Sequence, residues 1–162
     1  MAFQMSAGEW ILAVMLLLAV TSLLTAQQGE PADRVTRSAD GVPIHYVVAG
    51  VGESGVVFIH GGLADRSVWR NQWVLADSYR VAALDLGGHG ASGDKRKLWS
   101  LPTLAHDVAA VVKAAGLRRV VLVGSSMGGF VALEAARLIP DRIAGIISVD
   151  TLHDAEQVID PV

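Results

Sequence analysis

The chain has 162 residues, enough for one modest domain and not for two. A formal net charge of −3 supplies no basic field for nucleic acid. With no cysteine there is no disulfide framework, no thiolate nucleophile and no cysteine-ligated metal site.

Hydrophobic residues make up 52% of the chain and the mean hydropathy is +0.44, and much of that excess sits in one block. Trp10 to Ala26 (WILAVMLLLAVTSLLTA) carries no charge, and the first basic residue of the chain is Arg34. An apolar core at Ile11 to Val20, closed by the small residues of Leu24-Thr25-Ala26, predicts an export signal over residues 1–26, cleaved after Ala26. The stretch before it has no Lys or Arg and contains Glu9, which leaves an uncleaved anchor at residues 10–26 as the alternative. The protein is accordingly expected outside the cytoplasm, periplasmic or secreted, and at a membrane only if the segment is retained. Gln27 to Asp33, with Gly29 and Pro31, reads as a linker.

From Arg34 onward, short β-like runs alternate with helical patterns. Arg34 to Arg37 and Ile44 to Ala49 flank the turn residues Asp40-Gly41, as in a hairpin. Val56 to Ile59, Val81 to Leu84, Val120 to Val123 and Ile143 to Val149 are short and apolar, as strands buried on both faces are. The run Lys95-Arg96-Lys97 is expected in a solvated loop. Leu101, Leu104, Ala105, Val108, Val111, Val112 and Ala115 form a helical stripe, and Ser126 to Ile139 is a second helix ended by Pro140. Alternating strands and helices predict an α/β domain over residues 34–162, a mostly parallel sheet with helices on both faces.

Ligands of such sheets bind beyond the carboxyl ends of the strands, so the residues after each apolar run matter most. They are His60-Gly61-Gly62, then Asp85-Leu86-Gly87-Gly88-His89-Gly90-Ala91-Ser92, then Gly124-Ser125-Ser126-Met127-Gly128-Gly129, and finally Asp150. The third set is a G-x-S-x-G sequence between a strand and a helix, the setting of a strained turn that exposes a nucleophilic serine. Only Ser126 is centred between Gly124 and Gly128, and Ser125 is expected to pack beside it. A Walker-type phosphate loop is unsupported, since no Gly-Lys-Ser/Thr is present.

These three motifs, in this order, resemble the α/β-hydrolase superfamily in its serine branch of esterases, lactonases, carbon–carbon bond hydrolases and haloperoxidase-like enzymes. The resemblance runs from Arg34 to about Asp150, so the chain corresponds to an N-terminal portion of the fold, truncated after about strand six. It implies an oxyanion hole made of the backbone N–H groups of Gly62 and Met127, with His60, Asp85 and His89 organising loops. It implies a small-molecule acyl substrate and no metal or organic cofactor. Ser at position 126 sets the chain apart from haloalkane dehalogenases and epoxide hydrolases, which place Asp there.

A triad in this fold runs Ser, then Asp or Glu, then His. Of the five histidines, His45, His60, His89 and His106 precede Ser126, and His153 follows it, three residues from Asp150. An acid and a base so close on one loop are poorly placed to serve one serine. Asp150 is the candidate acid and the catalytic His is expected beyond this portion. The expected function is therefore acyl-bond hydrolysis, with a non-catalytic hydrolase-like binding protein as the alternative. Leu63, Trp69 and Met127 are candidates for an apolar acyl site or for ordinary core.

Overall fold

The computed structural model of the chain describes Gly8, residues 12–16 and residues 31–151. Residues 12–16 are helical and exposed, and no described helix is long and apolar enough to cross a membrane. The rest of the expected export segment lies outside the described residues, and so does His153.

Six strands form one sheet: β1 (Ala32–Arg37), β2 (Pro43–Ala49), β3 (Ser54–Ile59), β4 (Arg80–Leu84), β5 (Arg119–Ser125) and β6 (Ile143–Val149), in the order β1-β2-β4-β3-β5-β6. The expected hairpin is present, with β1 antiparallel to β2, and β3 to β6 are mutually parallel. β1 begins at Ala32, so two residues assigned to the linker, Ala32 and Asp33, pair with Val48 and Val47 instead. Pairing lets even an Ala-Asp dipeptide with little strand propensity extend the ladder.

Helix α1 (Leu101–Ala114) starts where Ser100 and Thr103 cap one another: the Ser100 hydroxyl accepts the Thr103 N–H at 3.3 Å, and the Thr103 hydroxyl accepts the Ser100 N–H at 3.0 Å. Helix α2 (Met127–Leu138) stops before Pro140, which cannot donate to its last turn. Both helices cover one sheet face. There Val57, Leu84, Leu122, Val108, Val111 and Val131, all with no exposed surface, form the main core. Alternation along β3 sends Phe58 to the opposite face, where it joins Val81, Ala83 and Val123. That face is covered by a 3-10 segment, Arg66–Asp77, which the sequence reading did not identify. Asp65 caps it by accepting the Ser67 N–H at 2.7 Å, and Trp69 stacks on Phe58 with ring centroids 4.9 Å apart. A groove of about 630 Å³ remains open on this face between Leu75, Tyr79, Val121 and Ile147.

The basic run departs from expectation at its centre. Lys95 and Lys97 are exposed, but the Arg96 side chain is 1% exposed and pairs with Asp107, which is fully buried on α1, at 2.5 Å. It also pairs with Asp40 in the hairpin turn at 2.6 Å. Two carboxylates offset the desolvation of a guanidinium that solvation alone would have kept outside.

Candidate active site

The two elements that leave β3 and β5 depart to opposite faces, the 3-10 segment to one and α2 to the other. The carboxyl ends of these neighbouring strands therefore open a crevice, and both Ser126 and the His60-Gly61-Gly62 turn lie at it.

Ser126 connects β5 to α2 with φ 50 and ψ −120, a conformation that costs an L side chain about 1–3 kcal/mol. Neighbouring glycines make the turn possible. A Cβ on Gly124 would overlap the backbone of Gly128, and a Cβ on Gly128 would overlap the carbonyls of Ile59 and His60. Gly61 is less tightly placed but still near: a Cβ there would lie 3.3 Å from the Cβ of Ser126, so the turn after β3 runs beside the serine. Ser126 is exposed, makes no capping hydrogen bond to its own helix, and is thus available to a reactant. Met127 follows as the first residue of α2, whose N-terminal N–H groups and dipole favour negative charge at this point. Ser125 is half-buried beside the turn, and Gly62 is exposed.

His60 is fully buried. Its Nε2 accepts the Leu86 N–H at 3.0 Å, which requires a neutral ring with the proton on Nδ1, and Nδ1 donates to the Gly61 carbonyl at 2.7 Å. Burial pushes its pKa below the ordinary 6.5, a shift that the Gly61 carbonyl opposes. The His89 ring stands 5.0 Å away and is the next contributor to the lowering. Asp85, also buried, accepts the Arg66 N–H at 2.8 Å, the Ala91 N–H at 2.9 Å and the Arg66 guanidinium, and so joins the turn after β3 to the loop after β4. The Ser92 hydroxyl donates to the Asp85 carbonyl at 2.6 Å and accepts the His45 N–H at 2.8 Å. The organising roles expected of His60 and Asp85 are thus visible as hydrogen bonds. The parts played by Arg66, Ser92 and Asp107 were missed, although Ser92 lies in a motif that the sequence displays.

Asp150 ends β6 with φ +52, exposed. Among the described residues, no side chain hydrogen-bonds the Ser126 hydroxyl, and none of the four described histidines is brought to it. His45 lies in β2, His106 is exposed on α1, and His60 and His89 serve the loops. Leu63 is not core: it stands fully exposed with φ 57, whereas Trp69 is packed on Phe58 and Met127 packs partly buried against the main core. The described residues contain no cluster of three or more His, Asp or Glu that would hold a metal ion.

Known proteins are similar to this chain in sequence and fold. A family model described as the alpha/beta hydrolase fold matches residues 56–162. The dihydrolipoyllysine-residue acetyltransferase component of the acetoin cleaving system of Cupriavidus necator is 39% identical over 111 residues, 68% of this chain and 30% of that protein. The structure of the epoxide hydrolase CorEH without ligand superposes with a TM-score of 0.71 at 30% identity, over 78% of this chain and 44% of that one. Est816, described as an N-acyl homoserine lactone degrading enzyme, gives a TM-score of 0.67 at 32% identity, over 72% of this chain and 45% of that one. The chain thus spans less than half the length of each of these relatives. The glycine-flanked turn at Ser126, the sheet order and the matched span agree, and the chain belongs to the α/β-hydrolase fold family.

Proposed function

We propose that Ser126 is the nucleophile of a hydrolase that cleaves carboxylic ester-like bonds in small acyl compounds. The observation that carries this reading is the Ser126 backbone, held at positive φ between a buried strand and a helix N-terminus, with its side chain exposed at the crevice. Serine at this position supports ester cleavage over epoxide opening, because the family resemblance implies an Asp here in epoxide hydrolases.

In this mechanism the Ser126 hydroxyl attacks the carbonyl carbon while a histidine outside the described residues takes its proton. The N–H groups of Gly62 and Met127 receive the oxyanion of the tetrahedral intermediate. The alcohol leaves with that proton, and water then releases the acid from the acyl-enzyme. Asp150, at the end of the strand next to the elbow, is the candidate to orient the histidine. No step calls for a metal or an organic cofactor. The competing reading is a hydrolase-like binding protein.

The deciding experiment treats the complete native chain with a fluorophosphonate and with short aryl esters. Hydrolysis is expected, together with a label on Ser126 that is lost in Ser126→Ala. A label that maps elsewhere, or that persists in Ser126→Ala, removes the assignment. An unlabelled protein that still binds acyl compounds supports the binding reading.

A further inference from the structure

Both backbone groups of Ser126 are held from the end of β6. Its N–H donates to the Val149 carbonyl at 2.9 Å. Its carbonyl accepts the Thr151 hydroxyl at 3.0 Å, in addition to the Gly129 N–H at 3.0 Å. The chain reaches this position through Asp150, whose φ of +52 follows directly on β6. The Thr151 hydroxyl also lies 3.3 Å from the Val149 carbonyl, so its single proton sits between strand and elbow with the shorter contact to Ser126. Gly129 makes room for it, since a Cβ there would overlap the Thr151 side chain.

We propose that Thr151 is a positioning residue for the oxyanion hole, acting through the peptide plane between Ser126 and Met127. This inference rests on the reading of Ser126 as the nucleophile. The carbonyl of Ser126 and the N–H of Met127 belong to one rigid planar unit, and no described peptide bond is cis. Fixing the oxygen at one end therefore fixes the direction of the N–H at the other. Gly129 alone restrains the plane from within the helix. Thr151 restrains it from the sheet, which is the frame that also carries the Gly61-Gly62 turn through β3. The two donors of the hole are thereby referred to the same sheet, and an oxyanion donor is effective only when aimed in advance.

The test measures fluorophosphonate inactivation of the complete native chain, in which the Ser126 oxygen bonds to phosphorus, fluoride leaves, and the hydroxyl proton passes to the base. Thr151→Val keeps the shape and removes the hydroxyl. It should lower the saturating rate constant about three- to tenfold, the worth of one hydrogen bond, with the inhibitor's half-saturation concentration and the labelled fraction unchanged. Thr151→Ser restores the hydroxyl and should restore the rate. Gly129→Ala displaces the side chain and should slow the reaction as Thr151→Val does. Three results overturn the proposal alone: Thr151→Val reacting at the wild-type rate, Thr151→Ser as slow as Thr151→Val, or a loss confined to the labelled fraction, which reports misfolding. A wild-type chain that takes no label at Ser126 overturns the nucleophile reading and this proposal with it.

Discussion

Because Nε2 of His60 accepts a backbone N–H, the ring cannot take a second proton without breaking that bond and charging a buried group. The lowered pKa expresses this, and its sign fixes the pH dependence. Above 6.5 both folded and unfolded chains carry a neutral ring, and the contribution to stability is fully present. As pH falls from 6.5 through the lowered folded value, the unfolded state takes up the proton first and the contribution is lost. The urea midpoint of the wild type should therefore fall on acidification through this window, and His60→Gln should show a shallower fall. Equal slopes in the two proteins would mean that other groups set the dependence. His60 was legible as a residue that holds its loop only through the family resemblance that the His60-Gly61-Gly62 motif helps to carry. The direction of its hydrogen bond was not, because Leu86, its partner, is distant in the chain.

At the scale of elements, the buried pairing of Arg96 with Asp107 joins α1 to the loop after β4, and Asp107 also accepts the Gly87 N–H at 3.0 Å. Burial works against the charge on Arg96, but the hydrogen bonds it donates to Asp107 and Asp40 outweigh it and raise its pKa above the ordinary guanidinium value. Asp107→Ala would leave the buried guanidinium with Asp40 alone and the Gly87 N–H without its acceptor, and should cost about 3–5 kcal/mol by urea unfolding. Replacing the pair together, Arg96→Met with Asp107→Leu, should recover much of that loss. A double variant no more stable than Asp107→Ala would show that Gly87, not Arg96, is the group that needs the carboxylate. Nothing in the sequence separated Arg96 from its exposed neighbours Lys95 and Lys97, because the partner sits one residue before Val108 on a stripe read for its apolar members. The helices and apolar strands were legible for the opposite reason: their signals are local and periodic. The 3-10 segment was missed although Trp69, Trp73 and Ala76, which pack on the sheet, recur at i, i+4 and i+7, a spacing that could have found it.

At the scale of the whole molecule, β6 is the outer strand on its side of the sheet, and Ile147 on it is 52% exposed at the open groove. An apolar edge beside an apolar groove invites association with another chain. Residues 27–162 purified alone should sediment as concentration-dependent oligomers with little ester turnover, and Ile147→Lys should shift them toward monomer. A monodisperse wild-type species that unfolds cooperatively and hydrolyses esters would refute this. It would also return Asp150 and His153 to consideration as acid and base.

The other border of the sheet has the opposite character. β1 presents Asp33, Arg34, Thr36 and Arg37 among its six residues, and Arg66 ties Asp33 back to the fold at 2.9 Å. The sheet thus resembles a polymer with one capped end and one growing end. β1 and β2 are also the first strands of the sheet to leave the ribosome. Only β5 and β6 extend the sheet outward from β3, since β4 is inserted between the hairpin and β3. Register errors introduced at β6 would then have no second edge on which to be corrected.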